Sequence, residues 1–193
     1  MQHHTALKRI IHYLAGTRNL GILYSKNPNT HNESLNIFYG FADAAFANHN
    51  DHRSTSGYVF LVAGGAITWK SKKQTMIALQ AEYVALSEAR WGACWLQNLF
   101  RELGYPQKDP ILIKGDNDGS ISMAKNQQFH NHTKHIVIRW HWIRELIQEK
   151  IITIENCWDS EQTTDILTKE LQQIKHRWHV LEMGLIMIQG ETK

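Results

Sequence analysis

Four carboxylates stand where they can do chemistry: Asp43, Glu82, Asp116 and Asp165. Asp43 closes the apolar run from Leu35 to Ala42, and Asp116 closes a second run from Ile111 to Gly115. Glu82 opens a long helical pattern, and Asp165 sits just inside a short one. Taken singly, each has a plain reading. Most acids are solvated, Asp116 suits a turn before Gly119, and Asp165 suits the start of a helix. Taken together, acids at the ends of two core strands and the starts of two helices can converge on one point. Clustered carboxylates repel and raise one another's pKa. A hard divalent cation, which prefers oxygen ligands, relieves that repulsion.

The elements that must position these acids follow from periodicity. Leu7, Ile10, Ile11 and Leu14 mark one face of a helix from Thr5 to Gly16. The proline-containing stretch Asn27–Asn32 reads as a linker, which places a boundary near Glu33. Residues 1–33 are then an appendage and residues 34–193 the main domain. After Asp43 and a polar loop, Tyr58–Val62 and Ala66–Ser71 flank Gly64-Gly65, a hairpin signal that completes a three-stranded meander. Helical periodicity runs from Ala81 to Leu103, with Trp91, Trp95, Leu99 and Leu103 spaced by four and read as core. Gly104 and Pro106 stop it. A strand at Ile111–Gly115, a short helix near Ser120–Lys125, a helix over Thr133–Lys150 and a strand at Ile151–Ile154 follow. A short helix begins near Glu161, and Ile174, Trp178, Leu181 and Leu185 mark a last one. A long crossover helix between meander and fourth strand predicts that the first and fourth strands are parallel neighbours. Ligands in such sheets bind beyond the carboxyl ends of the strands, where Asp43 and Asp116 would lie.

Composition narrows the field. A chain of 193 residues, 42% hydrophobic and with seven tryptophans, supports one packed domain with a small appendage. A net charge of +3 permits a nucleic-acid partner without demanding one. Cys94 and Cys157 lie in no paired pattern, which argues against a disulfide framework or a cysteine zinc site and for reduced, intracellular thiols. No signal peptide is evident, and no apolar run approaches the roughly 18 residues of a membrane span. Without cysteines or a fitting helical spacing, the histidines of His130-Asn131-His132-Thr133-Lys134-His135 make a poor zinc site.

Several motifs then fall in order: DHRSTSGY at Asp51–Tyr58, GAITWKSKKQ at Gly65–Gln74, AEYVALSEA at Ala81–Ala89, GDNDGS at Gly115–Ser120, TKHIVIRWHWIRE at Thr133–Glu145 and DILTK at Asp165–Lys169. In these the chain resembles the ribonuclease H domain of copia-type LTR retrotransposon Pol polyproteins, and its opening helix resembles the tail of the preceding reverse transcriptase. The resemblance implies an α/β, ribonuclease H-like three-layer fold, a five-stranded mixed sheet flanked by helices. It implies hydrolysis of the RNA strand of RNA–DNA hybrids during reverse transcription, at a site with two Mg2+ ions (Mn2+ as a substitute). Asp43, Glu82, Asp116 and Asp165 match the D-E-D-D set that is both catalytic and metal-binding. By resemblance Asp43 bridges both ions, Asp165 helps hold the one that activates water, and Glu82 and Asp116 hold the one on the leaving-group side. The implied partners are the hybrid, reverse transcriptase and other Pol segments, with no membrane. The implied location is a cytoplasmic virus-like particle or the nucleus.

Substrate contacts are expected from Arg53, Ser54, Thr55, Ser71, Lys72, Lys73, Asn117, Lys134 and His135. Lys70, His130, His132 and Arg139 are further phosphate donors. Three departures from the family stand out. Ala45 replaces a second acid after Asp43, and Val137 replaces an aspartate. The stretch Ala78-Leu79-Gln80-Ala81-Glu82 is three residues shorter than the family's form and lacks its Ser/Thr cap. A displaced Glu82 would leave a catalytically impaired or co-opted relic, acting as a nucleic-acid-binding or interaction domain, as the alternative function.

Overall fold

The structure is a computed structural model and describes residues 2–25, 37–45, 53–74, 78–125 and 134–188. The boundary expected near Glu33 lies outside these residues, as do His130 and His132.

Helix α1 (Gln2–Thr17) leads into the short strand β1 (Leu20–Ile22). Three strands follow: β2 (Phe38–Ala45), β3 (Thr55–Val62) and β4 (Gly65–Lys73). The long helix α2 (Ala78–Glu102) crosses to β5 (Ile111–Gly115). The chain continues through α3 (Asp118–Lys125), α4 (Lys134–Gln148) and β6 (Ile152–Asn156). It ends with α5 (Asp165–Thr168), α6 (Gln173–Glu182) and β7 (Leu185–Met187). The main sheet has the order β4-β3-β2-β5-β6. Its meander half is antiparallel, and β2, β5 and β6 run parallel, so the expected adjacency of the first and fourth sheet strands holds. Ala63 and Gly64, at φ 49° and 77°, form the hairpin between β3 and β4. Positive φ at both central residues is the geometry that matches strand twist.

The sheet is covered on both faces, as parallel strands require. One core joins Phe38, Phe60, Ile111, Ile113, Ile152 and Ile154 to Ala85, Ala89, Ala93 and Leu96 of α2 and to Ile121 and Ile143 of α3 and α4. The other joins Phe41, Val59, Leu61 and Ala66 to Cys157 and Met183, with Ile166 and Leu167 of α5 packed against them. Cys94 and Cys157 are free. Among the described residues no helix is long and apolar enough to cross a membrane.

The structure corrects three expectations. The tryptophan stripe of α2 is not core: Trp91 and Trp95 are 61% and 58% exposed. Alanines occupy the buried face, letting the helix axis approach the sheet, and the larger residues spaced by four lie on the opposite side. Trp91 instead meets Trp142 edge to face at 6.3 Å, and the Arg90 guanidinium sits 4.4 Å from the Trp91 ring centroid. Second, Leu185 leaves the last helix. Gly184 turns the chain at φ 75°, and Leu185 begins β7. Third, a second sheet exists: β1 pairs antiparallel with β7. The Leu23 amide donates to the Gly184 carbonyl, and the Tyr24 hydroxyl donates to the Ala66 carbonyl. Residues 20–25 are thereby stitched to the main domain.

Gly184 carries a testable consequence. A Cβ there would lie 2.5 Å from the Gly64 carbonyl oxygen, on a backbone that L side chains rarely adopt. All three nearest atoms, from Gly64, Gly65 and Leu23, are backbone and cannot swing aside. Gly184→Ala is expected to cost about 1–3 kcal/mol, read as a Tm lower by roughly 3–10 °C in thermal denaturation.

Candidate metal centre

The adjacent parallel strands β2 and β5 bring Asp43 and Asp116 to one end of the sheet. Asp43 pairs with Gly57 in register near the end of β2, and Asp116 follows the last residue of β5. Helix α2 crosses above them and delivers Glu82 from its second turn. Oxygen atoms of Asp43, Glu82 and Asp116 all lie within 4.8 Å of one another. The helix begins at Ala78, a turn before the first expected residue, so the shortened junction leaves Glu82 at the site. The Ala44 amide donates to Glu82 Oε2 at 3.2 Å, fixing the carboxylate against the strand that carries Asp43. Ala45, where the resembling family has a second acid, is buried at the end of β2.

Burial and mutual repulsion set the electrostatics. Asp43 is almost fully buried, which pushes its pKa up to about 6. Lys169 and the Thr168 hydroxyl, which donates to Asp43 Oδ2 at 2.5 Å, oppose the shift. Glu82 rises further, to about 8, through burial first and then the charges of Asp43 and Asp116. Glu82 therefore keeps its proton near neutral pH when no cation is bound, and Asp43 titrates just below that range. The hard oxygen donors of the three acids fit a divalent cation.

Asp165 sits apart from this group of three. It is fully buried at the start of α5, and two ammonium groups hold it: Lys169 Nζ at 2.8 Å from Oδ1 and Lys175 Nζ at 2.7 Å from Oδ2. Lys169 also reaches Asp43 Oδ2 at 3.6 Å and Asp116 Oδ2 at 4.0 Å. Sequence reading singled out the acids and passed over both lysines. The signal for Lys169 was present, because a residue four positions after Asp165 on a helix faces it.

The expected substrate contacts divide. Ser54 is fully buried, so its hydroxyl is removed from any substrate-facing set. Ser71 donates to the Leu167 carbonyl at 2.7 Å, tying β4 to α5. Asn117 caps α3 by accepting from the Ser120 amide at 2.8 Å. Lys70 and Lys72 pair with Glu88 at 3.2 and 3.9 Å; Lys70 stays half-exposed, Arg53, Lys72 and Lys73 are exposed and Thr55 is half-buried. The side chains of Lys134, His135, Val137 and Arg139 lie outside the described residues.

No protein-family model matches the chain. It is 35% identical over 178 residues to the retrovirus-related Pol polyprotein from transposon TNT 1-94 of Nicotiana tabacum. It is 32% identical over 191 residues to that from transposon RE1 of Arabidopsis thaliana. These alignments cover 90% and 97% of the chain. The homologues of this chain are copia-type retrotransposon Pol polyproteins. The chain spans 13% of the length of either relative, so it corresponds to one segment of them. A 98-residue stretch, 49% of the chain, is also 40% identical to 65% of the secreted RxLR effector protein 161 of Plasmopara viticola. Among solved structures, an RNase H1 isolated from compost, LC11-RNase H1, superposes with a TM-score of 0.52 at 16% identity. The match covers 69% of this chain and 93% of that one. The fold of this chain is therefore ribonuclease H-like, with the mixed five-stranded sheet and flanking helices that the resemblance implies.

Proposed function

We propose that this Pol segment is a metal-dependent endonuclease that hydrolyses the RNA strand of RNA–DNA hybrids during reverse transcription. The convergence of Asp43, Glu82 and Asp116 at the carboxyl ends of β2 and β5 carries the reading. Divalent ions bound there would stabilise the attacking and leaving oxygens of an in-line phosphoryl displacement. The chain supplies the rest. Thr168 and the Ala44 amide orient Asp43 and Glu82, while the sheet supports Asp116. Exposed Arg53, Lys72 and Lys73 on and before the edge hairpin offer phosphate contacts without base readout. Residues 1–33 serve as the reverse-transcriptase tail. Leu7, Ile10, Ile11 and Leu14 of α1 are more than half exposed and suit docking to the polymerase portion of a Pol polyprotein, inside a virus-like particle or the nucleus.

The second reading, a binding module without cleavage, draws support from Asp165, whose charge two lysines already satisfy. A substrate panel separates the two. The nuclease reading expects Mg2+-dependent cutting of a labelled RNA–DNA hybrid and none of duplex DNA. Binding of the hybrid with no cutting would favour the module instead.

A further inference from the structure

The acids of this site surround a cation that belongs to the chain. Lys169 is the C-cap of α5, and its amide donates to the Asp165 carbonyl, which fixes where its side chain starts. From there Nζ reaches into the space between β2, β5 and α5 and lies 2.8, 3.6 and 4.0 Å from oxygens of Asp165, Asp43 and Asp116. Glu82, Asp43 and Asp116 form one cation position among themselves. On the Asp43–Asp165 side the Lys169 ammonium itself stands between the two carboxylates, where any further cation would have to bind. The side chain is 28% exposed, so it is held at the rim and has a path outward. Charge agrees with the geometry. Three carboxylates, Asp43, Asp116 and Asp165, lie within 4.0 Å of this one ammonium, which offsets part of their negative charge.

We propose that Lys169 is a built-in counter-ion that competes with a divalent cation for the Asp43–Asp165 side of the site, so that the nucleic-acid-free protein takes up one divalent ion rather than two. The inference rests on the proposed metal-binding role of the acids. Lys169 is a competitor and positioning residue here, not a ligand. A second ion requires its displacement, and an incoming phosphate is a group that would draw the ammonium away.

Counting bound Mn2+ tests this in the full chain without nucleic acid, with free Mn2+ followed by its paramagnetic resonance signal. The wild type is expected to bind one ion. Lys169→Met keeps the aliphatic stem and removes the charge. It is expected to bind two ions, or the first about tenfold more tightly, as loss of a neighbouring positive charge at this range implies. Lys169→Arg keeps the charge and should keep the wild-type count. Lys175→Met, which touches Asp165 from its other oxygen, should change affinity less than about threefold, because no contact of Lys175 with Asp43 or Asp116 is found among the described residues. A wild type that binds two ions overturns the proposal, whatever the variants do. So does Lys169→Met with unchanged count and affinity, and in both cases the metal-binding reading survives. Absence of Mn2+ binding in wild type and Lys169→Met alike overturns both.

Discussion

Asp43→Asn is expected to lower hybrid cleavage by about 1,000-fold or more while raising the thermal stability of the metal-free chain. Both effects have one source. The Asp43 carboxylate is 1% exposed and shares its space with Glu82, Asp116 and Asp165. An amide cannot supply the negative oxygen that a hard cation needs, and losing several kcal/mol of charge stabilisation in the transition state corresponds to that fold-change. The same amide removes a buried charge that the chelated protein holds at a cost. Its pKa of about 6 means that at pH 7 most molecules carry the penalty of burial. Relief of about 1–2 kcal/mol corresponds to a Tm higher by roughly 2–6 °C. The Thr168 hydroxyl still finds an acceptor in the amide oxygen. Scanning calorimetry in chelator, beside a hybrid-cleavage time course in Mg2+, reads both. A variant that loses activity and stability together would assign Asp43 a structural role instead.

The second large effect is on pH. Glu82 in the folded, metal-free chain keeps its proton up to about pH 8, whereas the unfolded chain releases it near pH 4.5. The folded state therefore binds more protons between those values, and stability must fall as pH rises through the window. Asp43 contributes in the same direction up to about pH 6. His179 works the other way at the acid end: burial lowers its pKa, so the folded state gains stability as pH rises through the ordinary histidine range. Lys169 and Lys175, whose pKa values are raised from an already high value by their carboxylate partners, stay charged throughout. The clean window is thus pH 6.5–8, set by Glu82 against His179. In chelator, Tm is expected to drop across that window by about 5 °C or more. Saturating Mn2+ should abolish the drop, because the ion takes the proton's place. Metal affinity should correspondingly rise with pH, with proton release on binding. A Tm that is flat or rising in chelator between pH 6.5 and 8 would mean that Glu82 is not held among other charges.

Much of this geometry was legible in the residues. The apolar runs ending in Asp43 and Asp116 form strands. The helix between them forced a parallel crossover, and that crossover brings the two acids together. Glu82 was the doubtful corner, because a missing segment before a helix normally shifts everything after it. The helix accommodates the loss by starting at Ala78, which no cap motif advertised. Other features had no local signal. The α2 core face is built from alanines, which carry little hydrophobic contrast, while Trp91 and Trp95 drew attention to the exposed side. Strands β1 and β7 are three residues each and pair across nearly the whole length of the chain. No periodicity in so short a segment shows such a partner. Of the two lysines over Asp165, Lys169 is marked by its spacing of four, while Lys175, ten residues on and in the next helix, carries no local sign of the contact.

The most direct test of the site is cleavage of a labelled RNA–DNA hybrid by the wild-type chain in Mg2+, measured beside Glu82→Gln under single-turnover conditions. Glu82 completes the cluster within 4.8 Å and is the residue whose position the sequence left open. The wild type is expected to cut the RNA strand, to stop when the ion is chelated, and to outpace Glu82→Gln by about 100-fold. A wild type that cuts no faster than Glu82→Gln, with both proteins folded and Mg2+ in excess, would contradict a metal-dependent nuclease at Asp43, Glu82 and Asp116.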